Sequence, residues 1–140
     1  MRLTGEIVRE GTIWVVDIPI LNAMTQGKTR SNGMEMAKDL VESLAGASGF
    51  EVTVHPAGKN SFEISSTSSR ELTRLILKRQ RQKSGLSLSE VAKRLGSSSR
   101  NAYARYEQGV STPSIEKLDQ LLQAVSPDRD LLISQTGSES

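Results

Sequence analysis

The 140-residue chain has no cysteine, few aromatic residues and no long apolar run. Without cysteine it can form neither disulfides nor thiolate metal sites, which favours a reducing compartment. Because aromatic residues make up only 4%, each hydrophobic core must be small and aliphatic, and we expect a homodimer or a higher homo-oligomer. No segment approaches membrane-spanning length, and the N-terminus lacks a signal-peptide core. The sequence therefore predicts a soluble, cytoplasmic protein with no membrane partner.

Charge is distributed unevenly along the chain. Residues 1–69 carry six Lys/Arg and eight Asp/Glu, residues 70–125 carry eleven and five, and residues 126–140 carry one and three. The resulting net charges are −2, +6 and −2, which sum to the +2 of the whole chain. A basic middle segment favours a surface that binds a polyanion, although a solvated helix face would give the same charge count.

The stretch from residue 84 to residue 125 is typical of a helix-turn-helix. Ser87 and Glu90 have the spacing of a capping box at the start of a short helix, and Gly96 can end that helix in a left-handed conformation. Ser99 is a suitable N-cap for a second helix, which runs to about residue 108 and stops at Gly109. Two short helices joined by a tight turn need flanking helices to complete a core, so we expect a helical domain around them.

The second of these helices is the predicted recognition helix. Its tyrosines, Tyr103 and Tyr106, are expected to pack inward, so that the opposite side faces DNA. Arginine can pair with guanine and asparagine with adenine in the major groove, and the N-terminus of the preceding helix can hold a phosphate. The predicted DNA-binding residues are Ser87, Ser89, Ser99, Arg100, Asn101, Ala104, Arg105, Gln108 and Ser111.

The first half of the chain predicts a compact α+β unit of order β-β-β-α-β. Strands are expected at 2–9, 12–18 and near 23–27, followed by a helix from the cap Thr29 to about Ala45 and a strand at 50–54. Phe62 and Ile64 can begin a further short strand. The polar residues 65–69 then separate this unit from a basic helix. Its inward positions are predicted to be Leu72, Leu75, Ile76 and Arg79, and its outward positions Arg70, Arg74, Lys78, Arg81 and Lys83. The last helix is predicted to bury Ile115, Leu118, Leu121, Leu122 and Val125.

The predicted organisation is therefore two domains. An α+β domain spans 1–66, a hinge spans 67–69, and an all-α DNA-binding domain spans 70–134. That second domain ends in a short strand or interface segment at 130–134, and residues 135–140 form a disordered tail.

Few residues suggest catalysis or metal binding. Asp17 is the one notable acidic residue on a strand, and no other carboxylate has a spacing that would bring it there to hold Mg²⁺. His55 is the sole histidine, which leaves it without a partner for a zinc site. We therefore predict no enzyme activity, no cofactor and no metal site. If Asp17 were catalytic, the chain would instead be a metal-dependent nuclease with a targeting domain.

Two segments resemble known families. LSLSEVAKRLG together with YARYEQGVSTPSIEKLDQLL is similar to the Cro/phage-repressor-type helix-turn-helix, and the likeness covers residues 72–125. It implies that Glu107 is structural. One residue more than is usual separates Gly96 from Glu107, so the turn or the start of the recognition helix must absorb it, and the base-contacting positions can shift by one.

The N-terminal half resembles HicB-type antitoxins. The shared features are the opening hairpin, Asp17-Ile18-Pro19, Thr25-Gln26-Gly27, the helix cap Thr29 and the helix MEMAKDLVESL. The resemblance implies a partial RNase-H-like domain that neutralises a small HicA-type mRNA-cleaving toxin, joined to a domain that represses the shared operon by binding operator DNA. The alternative is a stand-alone helix-turn-helix transcriptional regulator whose N-terminal domain senses a ligand.

Overall fold

The first half of the chain forms one antiparallel sheet with a helix across one face. The structure is a computed structural model, and it describes residues 1–97 and 99–137. The sheet has the strand order β3-β2-β1-β5-β4. Its strands are β1 (Arg2–Glu10), β2 (Ile13–Ile18), β3 (Ala23–Gly27), β4 (Val52–Pro56) and β5 (Ser61–Ser66). The predicted α+β architecture is thus confirmed, including the short last strand around Phe62 and Ile64.

Helix α1 (Arg30–Ala45) packs closely on the sheet because two glycines meet there. Thr29 caps the helix, as predicted, by accepting a hydrogen bond from the backbone N–H of Asn32 at 3.0 Å. A Cβ added to Gly27 would lie 2.6 Å from the Cα of Gly33, closer than real Cβ atoms come to backbone. Gly27 therefore allows β3 and α1 to approach. Gly33 lowers the helix propensity of α1, but a Cβ at this position would lie 2.8 Å from Ile7 Cδ1, so the lack of a side chain lets α1 lie close to β1.

Helix α2 (Ser69–Lys83) belongs to two cores at once. Its residues Leu72, Leu75 and Ile76 are buried in the core formed by the sheet and α1, whereas Leu77 is buried in the second core. Polar contacts strengthen the first attachment. Arg79 donates to the carbonyl oxygens of Leu21 at 2.7 Å and Asn22 at 2.8 Å. The two halves of the chain therefore share a helix.

Two arginines of α2 contradict their predicted exposure. Arg74 donates to Glu71, to the carbonyl of Ala45 at 2.7 Å and to the carbonyl of Glu107 at 3.4 Å. Arg81 is paired with Glu107 and is only 14% exposed. The prediction that Arg74 and Arg81 face outward was wrong, because sequence spacing does not show that α1 and a later helix lie against α2, while Arg70, Lys78 and Lys83 are exposed as predicted.

The predicted hinge at residues 67–69 lies where β5 passes into α2. Ser68 is the N-cap of α2, and Thr67 exchanges two hydrogen bonds with Glu51, of 2.9 and 3.1 Å. The domain limits at 1–66 and 70–134, and the hinge itself, stay predictions.

Three shorter helices complete the second half: α3 (Leu88–Arg94), α4 (Arg100–Glu107) and α5 (Ile115–Val125). The second core consists of the buried residues Leu77, Val91, Ala92, Tyr103, Leu121, Ala124 and Val125. Ile115 was predicted to be buried but is 89% exposed. It is the first residue of α5, at the edge of the apolar stripe, where the helix has not yet met its neighbours.

The segment after α5 forms no helix or strand in residues 129–137. The predicted short strand at 130–134 is therefore absent, since its backbone forms no hydrogen bond with a strand of the described residues, while the alternative of an interface segment stays a prediction. Of the predicted disordered tail, residues 138–140 lie outside the described residues. Within the described part of the chain, no helix is long and apolar enough to cross a membrane.

Candidate nucleic-acid interface

Helix α3 begins with the predicted capping box. The Ser87 hydroxyl accepts from the N–H of Glu90 at 3.1 Å, and Glu90 Oε1 accepts from the N–H of Ser87 at 3.1 Å. These bonds from the Ser87 backbone and hydroxyl hold the pKa of the Glu90 carboxyl below its ordinary value, and Arg94 adds to the effect. Ser87 and Ser89 are both exposed at this helix end. Their predicted phosphate contacts are sterically open.

The turn between α3 and α4 is built from glycine and serine. Gly96 has φ of 79°, which favours glycine. Ser99, exposed, caps α4 by accepting from the N–H of Asn101 at 3.3 Å, and Ser97 Oγ accepts from the N–H of Ser99 at 3.2 Å. Ser98 lies outside the described residues. From Arg100 onward α4 is a continuous helix, so within the described residues the sequence from Arg100 to Glu107 has regular helical spacing.

Helix α4 turns one face outward and one inward, with one difference from the prediction. Ala104 is only 5% exposed, so it is wrongly placed among the outward residues. It lies beside the buried Tyr103 and one helical turn before the buried Glu107. Ala102 is exposed instead and provides the small side chain on the outer face. The outward residues are Arg100, Asn101, Ala102, Arg105 and Gln108.

A buried ion pair fixes α4 to α2. Arg81 Nε lies 2.6 Å from Glu107 Oε2, and Arg81 Nη2 lies 3.0 Å from Glu107 Oε1. The same guanidinium donates to the carbonyl of Leu86 at 2.9 Å. The pair raises the pKa of Arg81, and the structural role expected for Glu107 is confirmed. No spacing rule links positions 26 residues apart, so the sequence did not identify Arg81 as its partner.

The hydroxyl of Tyr103 lies in the same buried region. It is fully buried and has no hydrogen bond of ordinary geometry with the described residues. Burial, and secondarily the negative charge of Glu107, raise the pKa of Tyr103 well above its usual range. The phenol is therefore neutral, and its ring holds the inner face of α4 in the second core.

The remaining predicted residues follow α4. Gln108 is exposed at its C-terminal end, and Ser111 is half-buried in the loop that leads to α5. The N–H groups of Val110 and Ser111 both donate to the carbonyl of Arg105, at 3.0 and 3.2 Å. Helices α2, α3 and α4 also carry exposed basic side chains: Arg70, Lys78, Lys83, Lys93, Arg94, Arg100 and Arg105.

The described residues contain no group of three or more His, Asp or Glu side chains that could hold a metal ion. Asp17 lies in β2 opposite Glu6 of β1, and His55 Nε2 is 2.7 Å from Ser65 Oγ.

Comparison with known proteins identifies the class of this module. Residues 77–125 match the model of a helix-turn-helix family. The matched region runs from within α2 to the end of α5, so it contains the capping box, α4 and the Arg81–Glu107 pair. The match supports a DNA-binding regulator. No curated protein matches the chain.

Proposed function

We propose that the chain is the antitoxin of a type II toxin–antitoxin pair. Residues 1–66 bind and neutralise a HicA-type mRNA-cleaving toxin, and the helix-turn-helix represses the operon of the pair by binding its operator as a dimer. One observation carries the proposal. A sheet with one uncovered, acidic face is joined through the shared helix α2 to a basic helix-turn-helix. The chain itself performs no catalysis in this proposal.

DNA binding is assigned to the outer face of α4. Its exposed Arg100, Asn101 and Arg105 offer the groups that read guanine and adenine in the major groove. The small Ala102 between them leaves room for the helix to come close to the bases. Ser87, Ser89, Ser99, Gln108 and Ser111 are proposed to hold phosphates and so fix the position of α4. A single short helix reads few base pairs, which favours a dimer on two half-sites about one helical turn apart.

The residues that carry the HicB resemblance all have definite structural positions. Pro19 opens the 3₁₀ turn after β2, Thr25 and Gln26 lie in β3, Gly27 packs against α1, and Thr29 caps that helix. These positions support a fold shared with that family. The partial RNase-H-like relation remains part of the proposal.

The sheet face not covered by α1 supports binding of a basic partner. Glu6 and Asp17 lie directly opposite each other on this face, an arrangement of like charges that is unfavourable in the chain alone. Neither carboxylate has an ion-pair partner among the residues described. Val8 and Met24 are exposed beside them, at 42% and 64%. A lysine or arginine of a basic toxin would relieve the repulsion.

The test is co-expression with the small protein encoded next to this chain. If that protein is a toxin, the wild-type chain restores growth, and the Glu6→Lys/Asp17→Lys variant fails to do so because repulsion replaces attraction. The matched control is Glu35→Lys, which reverses an exposed charge on α1, on the opposite side of the sheet, and should rescue as well as the wild type. Equal rescue by all three would place the toxin elsewhere on the chain. If the neighbouring protein were not toxic, or if the wild-type chain did not restore growth, the proposed antitoxin function would be wrong.

A further inference from the structure

Three consecutive aliphatic residues near the C-terminus are exposed. Leu131 is 43%, Leu132 90% and Ile133 94% exposed. Single exposed apolar residues are ordinary, whereas a run of them indicates a surface that something covers. These residues belong to the C-terminal segment, defined here as residues 130–134. The segment is apolar enough to form a strand, but its backbone is not hydrogen-bonded to any strand of the described residues.

One edge of the sheet is open to such a strand. β3 is an edge strand, and within the described structure its hydrogen-bonded neighbour is β2 alone. Its sequence Ala-Met-Thr-Gln-Gly has none of the lysines or prolines that commonly protect an edge from another chain. The opposite edge differs, since on β4 the N–H of Val52 donates to Glu42 at 2.9 Å and Pro56 has no N–H.

We propose that the C-terminal segment of one copy adds to β3 of a second copy as an antiparallel sixth strand. In this direction Asp130 lies beside Lys28, the residue that follows β3, so that opposite charges meet. Ser134 then lies opposite Met24 and the exposed Leu132 lies opposite Gln26, so that Leu132 and the exposed Met24 are diagonal neighbours on one face of the sheet. The proposal concerns assembly and does not depend on the identity of any toxin.

A second copy fits better than the chain's own tail. The Thr136 hydroxyl donates to Glu63 of β5 at 3.2 Å, and β1 and β2 lie between β5 and β3. At about 4.8 Å per strand, the tail is then roughly 14 Å from its own β3. Pairing of two tails with each other would give only a two-stranded ribbon, which is marginal in water.

Reciprocal exchange across a two-fold axis makes the contact twice. Two added strands of five residues provide about ten main-chain hydrogen bonds, close to the number in an ordinary protein interface. The exchange would join the N-terminal halves of the dimer, in addition to any contact between the helix-turn-helix modules.

Cysteine cross-linking tests the proposal directly, since the chain has no cysteine of its own. Met24→Cys and Ser134→Cys proteins are purified separately, mixed and mildly oxidised, and the joined peptides are identified by mass spectrometry. We expect a disulfide between the two different variants. Thr4→Cys, exposed on β1 in the interior of the sheet, replaces Met24→Cys in the control and should remain unlinked. A disulfide between two Ser134→Cys chains in preference to the mixed product would show that the tails pair with each other and would overturn the proposal.

Sedimentation provides a second readout on full-length chains without cysteine. Met24→Lys places a charge on the β3 edge at an exposed position and should weaken dimerisation by about tenfold, or about 1.4 kcal/mol. Glu35→Lys, the control for charge, should leave the dissociation constant unchanged. Circular dichroism confirms that each variant is folded. An unchanged dissociation constant for folded Met24→Lys would contradict the assigned edge.

Discussion

Ala102 and Ala104 are chemically identical and only two positions apart, but they differ in exposure to solvent. Ala102 is exposed on the outer face of α4, and Ala104 is buried at 5% exposure. The sequence predicted the outward direction for Ala104, because the tyrosines alone do not define the inner face closely enough. Tyr103 and Glu107 together define it, and Ala104 lies beside them. The burial of Glu107 thus explains why Ala104 faces inward.

Leucine substitutions at the two alanines separate DNA contact from folding. Ala102→Leu should leave the melting temperature nearly unchanged and weaken binding to the DNA upstream of the chain's own gene, because a larger side chain keeps the helix away from the bases. Ala104→Leu should lower the free energy of unfolding by about 1–3 kcal/mol, the usual cost of overpacking. Urea denaturation and fluorescence anisotropy measure the two effects. If Ala104→Leu weakened DNA binding and Ala102→Leu lowered stability, Ala104 would have to lie on the outer face.

The capping box of Ser87 and Glu90 stabilises the start of helix α3. Because Glu90 has a lowered pKa in the folded chain, its contribution to stability is present above its ordinary pKa and is lost as pH falls through the folded value. The unfolded chain then binds the proton more readily than the folded chain does. The pH window of this effect therefore lies below the ordinary value of 4.5.

Ser87→Ala tests this capping box. It should reduce the free energy of unfolding at pH 7 by about 1 kcal/mol, as loss of an N-cap does. It should also flatten the dependence of stability on pH below 4.5, because the Ser87 hydroxyl no longer favours the charged Glu90. Urea titrations from pH 3 to 7 provide the comparison. Ser89→Ala, an exposed position of the same helix, serves as the control, and a loss equal to that of Ser87→Ala would exclude the cap as the cause.

Most elements, and their ends, follow from local sequence. The caps at Thr29, Ser87 and Ser99 act over a few residues, so the local sequence predicted them. Contacts between distant segments were not predictable in this way. The partner of Glu107, the meeting of Gly27 with Gly33 and the exposure of Ile115 depend on which elements become neighbours, and one sequence does not specify that. The DNA-contact residues themselves stay predictions.

Helix α2 links the stability of the two halves of the molecule. Its residues Leu72, Leu75 and Ile76 complete the first core, and Leu77 with Arg81 anchors the second. Unfolding of either half would expose apolar surface on this one helix. We therefore expect the two halves to unfold together.

Leu75→Ala tests the coupling. Removing its buried side chain should destabilise the chain by about 2–5 kcal/mol. Trp14, next to the first core, reports on the sheet by fluorescence, and circular dichroism reports chiefly on the helices. Both signals should shift to lower denaturant by the same amount, while Lys78→Ala, exposed on the same helix, leaves them in place. A shift in fluorescence alone would show that the halves are independent.

Sharing α2 also affects the order in which the protein can fold during synthesis. The ribosome releases the sheet strands first. β1 can pair with β2 early, but its second partner, β5, is synthesised much later. Even then the sheet lacks Leu72, Leu75 and Ile76, so its apolar side stays partly open until α2 has emerged. Nascent chains with an incomplete core are prone to aggregate or to be degraded. A chain truncated before residue 76 would therefore be short-lived, which ties the abundance of the N-terminal half to synthesis of the helix that also anchors the DNA-binding half.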